Sequence, residues 1–197
     1  MKKHLITAFL MTIVTTILLG LIYPLVVTGL ARVLFPAKSS GQIIYRNGEA
    51  VGSRIIGQPF TSPKYFHPRI SAAGSGYDAA NSGGTQLAST NRKLIDRVQV
   101  DSAALAQDRP GEPIPVDLVT SSASGLDPEI SPAAAEFQVP RVARERHLPE
   151  SIVRDLVRQH TDPRTLGLLG EPRVNVLELN LALDEQSPQA KVDWEKK

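Results

Sequence analysis

One serine lies in a stretch that resembles the nucleophile turn of a serine hydrolase. Ser82 stands at the centre of residues 80–84, ANSGG, which match Gly-x-Ser-x-Gly with alanine for the first glycine. Candidate partners follow in hydrolase order, since Asp117 or Asp127 precedes His160. This turn requires a strand directly before the serine, and the residues preceding Ser82 have no strand pattern. Serine hydrolysis is therefore kept only as an alternative.

The same serine opens a glycine-rich stretch that could contact phosphate. Residues 82–86, SGGTQ, resemble the Ser-Gly-Gly-Gln core with which ABC-type transport ATPases contact ATP, with one additional residue. Backbone amides of such a turn can hold an anion, and a plain structural turn has the same composition. A second polar stretch, 120–127, is also explained as a loop leading to a helix cap at Ser131. The sequence contains neither a P-loop nor a dinucleotide-binding glycine motif.

Residues that usually hold metals are scattered or missing. The four histidines, at positions 4, 67, 147 and 160, have no ligand spacing, and the chain has no cysteine. The sequence therefore predicts no metal site, and it excludes thiolate chemistry and disulfides. The net charge is +2, and apart from Lys2, Lys3 and Arg32, 19 basic residues stand against 20 acidic ones. Nucleic-acid binding, which requires a clustered basic surface, is not predicted.

The element that must position any such site is one long apolar segment. Residues 5–31 contain no charged side chain, and at about 1.5 Å per residue this helix exceeds the hydrocarbon layer of a bilayer. We predict a short flank at 1–4 and one transmembrane helix at 5–34, longer than the apolar region of a cleaved signal peptide. Small residues and a proline indicate helix packing, although both are common in membrane helices generally. They are Gly20, Pro24, Thr28 and Gly29.

Turn and cap residues predict a hairpin followed by three helical segments. Asn47-Gly48 is a turn pair that requires positive φ, and short β-type runs flank it. Thr90 is the predicted cap of the first helix, and Ser131-Pro132 begins the second. Pro140 predicts a kink in this second segment or its division into two short helices. The third helix begins near Pro149.

The C-terminal part predicts a strand. Leucines at 177, 179, 181 and 183 alternate with other residues, which is the period of a half-buried strand. Strands at both ends with helices between them indicate an α+β soluble domain over 35–185, anchored by one N-terminal transmembrane helix. Residues 186–197 are predicted to be a solvated tail.

Several longer motifs occur in one order along nearly the whole chain. They are Phe66–Arg69 (FHPR), Ser82–Gly84 with Asn91, 116–132 (VDLVTSSASGLDPEISP), 138–143 (QVPRVA) and 170–184 (GEPRVNVLELNLALD). Together with Tyr23-Pro24-Leu25 in the apolar segment, these motifs resemble the KdpC family, whose members are subunits of bacterial Kdp potassium pumps. Residues 186–197 lie outside the resemblance.

The resemblance implies a non-catalytic accessory subunit of an ATP-driven potassium importer. It implies three partners: a potassium-selective channel-like subunit, a P-type ATPase subunit and a very small membrane peptide. The chain lacks the Asp-Lys-Thr-Gly-Thr motif of the phosphorylated subunit. The family role is either to stabilise the assembled complex or to raise its affinity for ATP. An envelope serine hydrolase anchored in a membrane is the alternative.

The resemblance also implies a location and a set of nucleotide contacts. The family topology is single-pass in the inner membrane, with the soluble domain on the periplasmic side, away from cellular ATP. A further possible role is to cap the outer mouth of the potassium path, where Asp78 or Asp127 would favour cation access, although loop solvation explains both acids. If ATP binds, the expected contacts are Ser124, Gly125, Gln138, Ser82, Gly83 and Gln86.

Overall fold

A computed structural model describes residues 1–186 of the 197-residue chain. The chain divides into two compact units, the first Met1–Val51 and the second beginning at Gly52. The fold mixes helices with small sheets and has an N-terminal helix long enough to cross a membrane, which confirms the predicted α+β class and its anchor. Residues 187–197 of the predicted tail lie outside the described part.

The first unit is mainly one apolar helix, Lys2–Leu34. It consists of α1 (Lys2–Thr15), a π-helical stretch (Thr16–Ile22) and α2 (Tyr23–Leu34). The wide π turns directly precede Pro24, which has no N–H and whose ring presses on the carbonyl four residues earlier. The proline therefore widens the helix without ending it.

After the apolar helix the chain forms a short helix and a hairpin. Helix α3 (Pro36–Ser39) is followed by β1 (Ile43–Arg46) and β2 (Glu49–Ser53), which pair in a two-stranded sheet. The turn residues Asn47 and Gly48 have φ of 52° and 86°, as a primed hairpin turn requires. The predicted hairpin is therefore confirmed.

The described part of the second unit contains four α-helices around a three-stranded antiparallel sheet. The strand order is β3-β5-β4, with Val174 of the central strand opposite Ile130 and Thr161. The elements are α4 (Arg92–Asp108), β3 (Glu129–Ile130), α5 (Pro132–Arg146), α6 (Glu150–Gln159), β4 (Thr161–Asp162), β5 (Arg173–Asn175) and α7 (Val176–Gln186).

The hydrophobic core lies among α5, α6, α7 and β5. Val139, Val153, Val174 and Leu179 are fully buried there, and Phe66 from the preceding loop joins them at 0% exposure. Each such side chain contributes about 1.5–3 kcal/mol through burial. The loop that carries Phe66 is therefore held against the core by this buried aromatic side chain.

The predicted C-terminal strand is wrong, because residues 176–186 form α7. The buried side chains of this helix recur at helical spacing, as Val176, Asn180, Leu183 and Asp184 show. The alternating leucines mimicked a period of two, but the polar residues Asn180 and Asp184 are buried with them. Burial of one helical face against the rest of the second unit therefore stabilises a helix here and not a strand.

Two helix predictions need correction, and two are confirmed. The cap of α4 is Asn91, whose side chain accepts a bond from the Lys93 amide at 2.9 Å, and not Thr90. Ser131 does cap α5, accepting from the Ala134 amide at 3.0 Å. Helix α6 begins directly after its proline cap, as predicted.

Pro140 lies inside α5, which continues to Arg146, so the segment is not divided into two short helices, and the alternative of a kink stays a prediction. Proline has no N–H for the Glu136 carbonyl one turn earlier. The Arg109 guanidinium instead donates to this carbonyl at 3.5 Å and to that of Phe137 at 3.4 Å. A side chain from the preceding segment thus replaces the missing helix bond.

Candidate functional site

The two loops predicted to contact phosphate lie side by side in the second unit. The Gly83 amide and the Ser82 hydroxyl both donate to the Ser124 carbonyl, at 2.9 and 3.0 Å. The Ser124 hydroxyl accepts a bond from the Leu126 amide at 3.1 Å. We call the joined segments 71–84 and 123–127 the loop cluster. The Ser82 hydroxyl and the Gly83 amide of this cluster therefore already have acceptors within the chain.

Gly125 lies at a close contact between the two segments of the loop cluster. Its φ is +67°, and a Cβ there would lie 2.6 Å from the Ala73 nitrogen and 2.8 Å from the Gly83 carbonyl oxygen. Its own carbonyl accepts from the Ser71 hydroxyl at 2.6 Å. Both its backbone conformation and the surrounding backbone atoms require glycine. The fold itself therefore explains this glycine without a ligand.

Asp127, one of two acids expected to favour cation access, is paired. Its carboxylate lies 3.0 Å from the Arg69 guanidinium, and the hydroxyl of Tyr77 donates to the Arg69 carbonyl. Burial, together with Asp127, raises the pKa of Tyr77 to about 12. Arg69 therefore compensates the charge of this acid locally.

Asp78, the other acid, caps the short 3-10 turn Ala79–Asn81. It accepts bonds from the Asn81 side chain at 2.6 Å and from the Ala80 amide at 2.9 Å. These bonds, that of Asn81 first, lower the pKa of Asp78. The carboxylate is therefore ionised at neutral pH and bound to its own turn.

Gln138 and Gln86, the two glutamines predicted to contact ATP, lie outside the loop cluster. Gln138 accepts from the His67 amide at 2.8 Å and from Arg141 at 2.7 Å, and donates to the carbonyls of His67 and Ala134 at 3.1 and 3.2 Å. All four positions of its amide are used. Gln86 is exposed, with φ of +52°. The structure thus brings together Ser82, Gly83, Ser124 and Gly125, and ties Gln138 to α5 and His67 instead.

Gln138 also lines a cavity of about 290 Å³ between α4 and α5, together with His67 and Arg141. The Nε2 of His67 lies 3.1 Å from the Ser62 carbonyl, which can only accept, so this nitrogen carries a proton. Burial, and then the nearby Arg141, lower the pKa of His67. The ring is therefore neutral at pH 7.

The candidate hydrolase residues have separate partners. Ser82 donates to a backbone carbonyl, while Asp117 accepts from the amide and hydroxyl of Ser131 at 2.7 and 3.1 Å. His160 places Nδ1 3.0 Å from the Leu156 carbonyl of its own helix. A triad requires the serine, the histidine and the acid to bond in series. The geometry does not support the alternative hydrolase.

Metal ligands do not cluster in the described residues. Within residues 1–186, no group of three or more His, Cys, Asp or Glu side chains could hold a metal ion. The candidate acids instead face arginines or backbone amides, as for Asp127 and Asp78. The absence of a metal site in the whole chain stays a prediction.

A buried polar network escaped the sequence reasoning. Arg146 contacts Asp184 at 2.8 Å, with side chains only 1% and 3% exposed. Tyr65 donates to the same carboxylate at 3.2 Å, and its ring lies 4.7 Å from the Arg146 guanidinium. Burial first, and Asp184 second, raise the pKa of Tyr65. Asn180 lies one helical turn before Asp184 and bonds to the Phe66 backbone. The four-residue spacing of these two polar residues was therefore the sequence signal that could have indicated a buried helical face.

The small residues predicted for helix packing lie on an apolar helix with no internal partner. No residue of Lys2–Leu34 is buried, Pro24 and Thr28 included. A Cβ on Gly29 would meet no atom within 4 Å, and one on Gly20 would meet only the Thr16 methyl at 3.9 Å. Neither glycine is required by the chain's own packing.

Comparison with known proteins agrees over nearly the full length. The family model described as KdpC, K+-transporting ATPase, c chain, matches residues 5–185. A Potassium-transporting ATPase KdpC subunit of Koribacter versatilis is 65% identical, over 95% of this chain and 97% of that protein. Proteins of the same name from Acidobacterium capsulatum and Methylobacterium nodulans are 56% and 53% identical, over 93% and 94% of this chain and 98% of each relative.

The motifs quoted from the sequence all lie within the matched residues 5–185. The chain belongs to the KdpC family, the c chain of K+-transporting ATPase.

Proposed function

We propose that the chain is a non-catalytic accessory subunit that stabilises an assembled potassium-transporting ATPase in the inner membrane. The observation that carries this proposal is the exposed apolar helix Lys2–Leu34 with its unused glycines. The proposed partners are a channel-like subunit that selects potassium, a P-type ATPase subunit and a small membrane peptide. The relatives' name, subunit of a potassium-transporting ATPase, supports this assignment.

The glycines support helix packing because contacts within this chain do not require glycine at either position. A helical glycine is less favourable than alanine by roughly 1 kcal/mol in water, and Gly20 and Gly29 leave room around their Cα atoms. Between membrane helices, small residues allow close backbone approach and therefore strong van der Waals contact. We assign Gly20, Pro24, Thr28 and Gly29 to contact with a membrane-spanning partner.

Raising the pump's affinity for ATP is the less supported role. Two of the groups expected to contact phosphate already have partners within the chain, since the Gly83 amide and the Ser82 hydroxyl donate to the Ser124 carbonyl. Phosphate binding at a glycine-rich turn depends on amides that point at the anion. Gln138 is fully bonded elsewhere. The role in assembly does not require any of these groups to be free.

The location follows as part of the proposal. We place the second unit on the periplasmic side, because a large C-terminal domain can translocate regardless of its charge. The chain has no cysteine, so a single one can report the side. Ala103 is exposed on α4 and suits this purpose, whereas Ser187 lies outside the described residues.

The topology test uses the Ala103→Cys variant in cells with a permeabilised outer membrane. A membrane-impermeant maleimide should label it before lysis. Labelling only after lysis would contradict the periplasmic placement. It would then favour the role of raising the pump's affinity for ATP over the role in assembly. The cysteine-free parent chain is the matched control for background labelling.

The functional test is growth at limiting potassium in a host that lacks its own copy of this subunit but retains the others. The full chain should restore growth, and Ser82→Ala should restore it equally, because Ser82 only bonds a carbonyl within the loop cluster. Failure of the full chain to restore growth while it is present in the membrane would contradict the proposal. Loss of growth with Ser82→Ala alone would favour a chemical role for that serine.

A further inference from the structure

A rigid turn between β4 and β5 exposes three leucines. Leu166, Leu168 and Leu169 are 87%, 82% and 62% exposed, and we call them the leucine tip. Elsewhere in the described part of the second unit, large apolar side chains with more than 60% exposure stand alone, as Val100 and Val116 do. Concentrated apolar exposure of this kind marks an interaction surface.

The tip is preformed by its backbone. Thr165 and Leu169 exchange amide bonds of 2.8 and 2.9 Å, and the Leu168 amide donates to the Thr165 carbonyl at 3.2 Å. Leu166 and Gly167 have φ of 55° and 74°, the left-handed values of a primed turn. A leucine in this conformation is unfavourable, and asparagine or glycine is the usual residue. Folding alone thus gives no reason for a leucine at position 166.

The charge beside the tip favours a protein over a lipid surface. Arg164, the one basic residue between β4 and the tip, is bonded to Glu171 at 2.5 Å, so the base of the turn is locally neutral. Binding to anionic lipid relies on unpaired Lys or Arg, with Trp or Tyr at the interface, and residues 163–170 contain no aromatic residue. A preformed, uncharged tip instead matches an apolar pocket, because little conformational entropy is lost on docking.

We propose that the leucine tip docks into an uncharged apolar pocket on the extramembrane surface of another subunit of the same potassium-transporting assembly. This inference rests on the proposed function and adds a second contact, outside the membrane, to that of the apolar helix. Leu166 and Leu168 are its anchors, since they are the most exposed of the three.

The test is recovery of the other subunits with the tagged full chain in mild detergent. The double variant Leu166→Asn/Leu168→Asn should lower recovery at least about tenfold, as expected when two interface anchors are lost. Val100→Asn, an equally drastic change at a single exposed valine on α4, should leave recovery unchanged. Leu166→Asn alone should not lower the urea midpoint of the isolated chain, because asparagine accepts positive φ. The isolated double variant should likewise keep the urea midpoint of the wild type, because both side chains are exposed, so that a drop in its recovery reports lost docking and not misfolding.

The outcomes separate the two proposals. If the wild-type chain recovers no pump subunit, the proposed function fails. If the wild type recovers them and the double variant recovers as much, only this inference fails. A photo-crosslinker at position 168 identifies the occupant: an adduct with another subunit supports the docking, and no adduct, lipid only, or a second copy of this chain overturns it.

Discussion

Glycines occur in the loop cluster and in the apolar helix, but their surroundings differ in opposite ways. At Gly125, a Cβ would lie 2.6 Å from a backbone nitrogen and the φ is +67°. At Gly29, a Cβ would meet nothing within 4 Å of this chain. The first glycine is required by the fold, and the second is unexplained until a partner is present.

The difference extends beyond glycine. In the second unit, the buried charges of Arg146 and Asp184 are paired with each other. In the first unit, the apolar side chains of Lys2–Leu34 have no internal contact surface. Substitutions of these internally paired or closely packed residues should therefore change folding, and substitutions in the apolar helix should change assembly.

The largest effect on folding is expected from Asp184→Asn. Removing this carboxylate leaves the Arg146 charge buried and uncompensated, which costs about 3–5 kcal/mol in the free energy of unfolding. Urea unfolding of the full chain in detergent, followed by circular dichroism, measures it. Asp162→Asn is the matched control, because that carboxylate is 47% exposed and its bond to Arg54 contributes less than about 1 kcal/mol. Equal losses in both variants would contradict the internal role of the buried pair.

A somewhat smaller loss is expected from Gly125→Ala. The methyl group would clash with backbone atoms and the residue would keep a left-handed φ, so we expect destabilisation by about 3 kcal/mol. Gly111→Ala serves as a control, since its φ is +80° but a Cβ there meets nothing within 4 Å. The control should lose only about 1 kcal/mol, for the φ alone. If both variants unfold at the same urea concentration, the close packing of the loop cluster is not the reason for its glycine.

A smaller effect should come from pH through His67 in the second unit. The pKa of His67 is lowered in the fold by burial, so the unfolded chain binds this proton more readily. Its contribution to stability is full above the ordinary value near 6.5 and is lost as the pH falls toward the folded value. The urea midpoint should therefore decrease from pH 7.5 to 5.5.

His67→Gln separates this proton from the carboxylates. Glutamine can still donate to the Ser62 carbonyl that His67 Nε2 now contacts, but it does not titrate. The decrease between pH 7.5 and 5.5 should be smaller in this variant. An identical pH profile would show that His67 is not the responsible group.

The sequence predicted those parts of the fold that depend on local chemistry. The long apolar run, the Asn47-Gly48 turn and the Ser131 cap are each set by a few neighbouring residues, and all three are confirmed. The α7 helix was missed because its leucines alternate by chance, and only burial of Asn180 and Asp184 against distant residues reveals its period.

The candidate site was predictable only in part. The similarity of two polar loops led to Ser82, Gly83, Ser124 and Gly125, which do lie together. The bonds from the Ser82 hydroxyl and the Gly83 amide to the Ser124 carbonyl join positions about 40 residues apart, and no local sequence pattern indicates them. The same holds for Gln138, whose partner is the His67 backbone. ATP contact by these residues stays a prediction.

The most direct test of the account measures assembly and folding on the same variants of the apolar helix. Gly20→Leu/Gly29→Leu should leave the urea midpoint of the full chain unchanged, because a Cβ at Gly29 meets no atom within 4 Å and one at Gly20 meets only the Thr16 methyl at 3.9 Å. Recovery of the other pump subunits in mild detergent should fall at least about tenfold, since bulky residues keep membrane helices apart. Ala8→Leu, a small-to-large change earlier in the helix, should affect neither. Recovery of the double variant equal to that of the wild type would contradict the claim that this helix holds the assembly together.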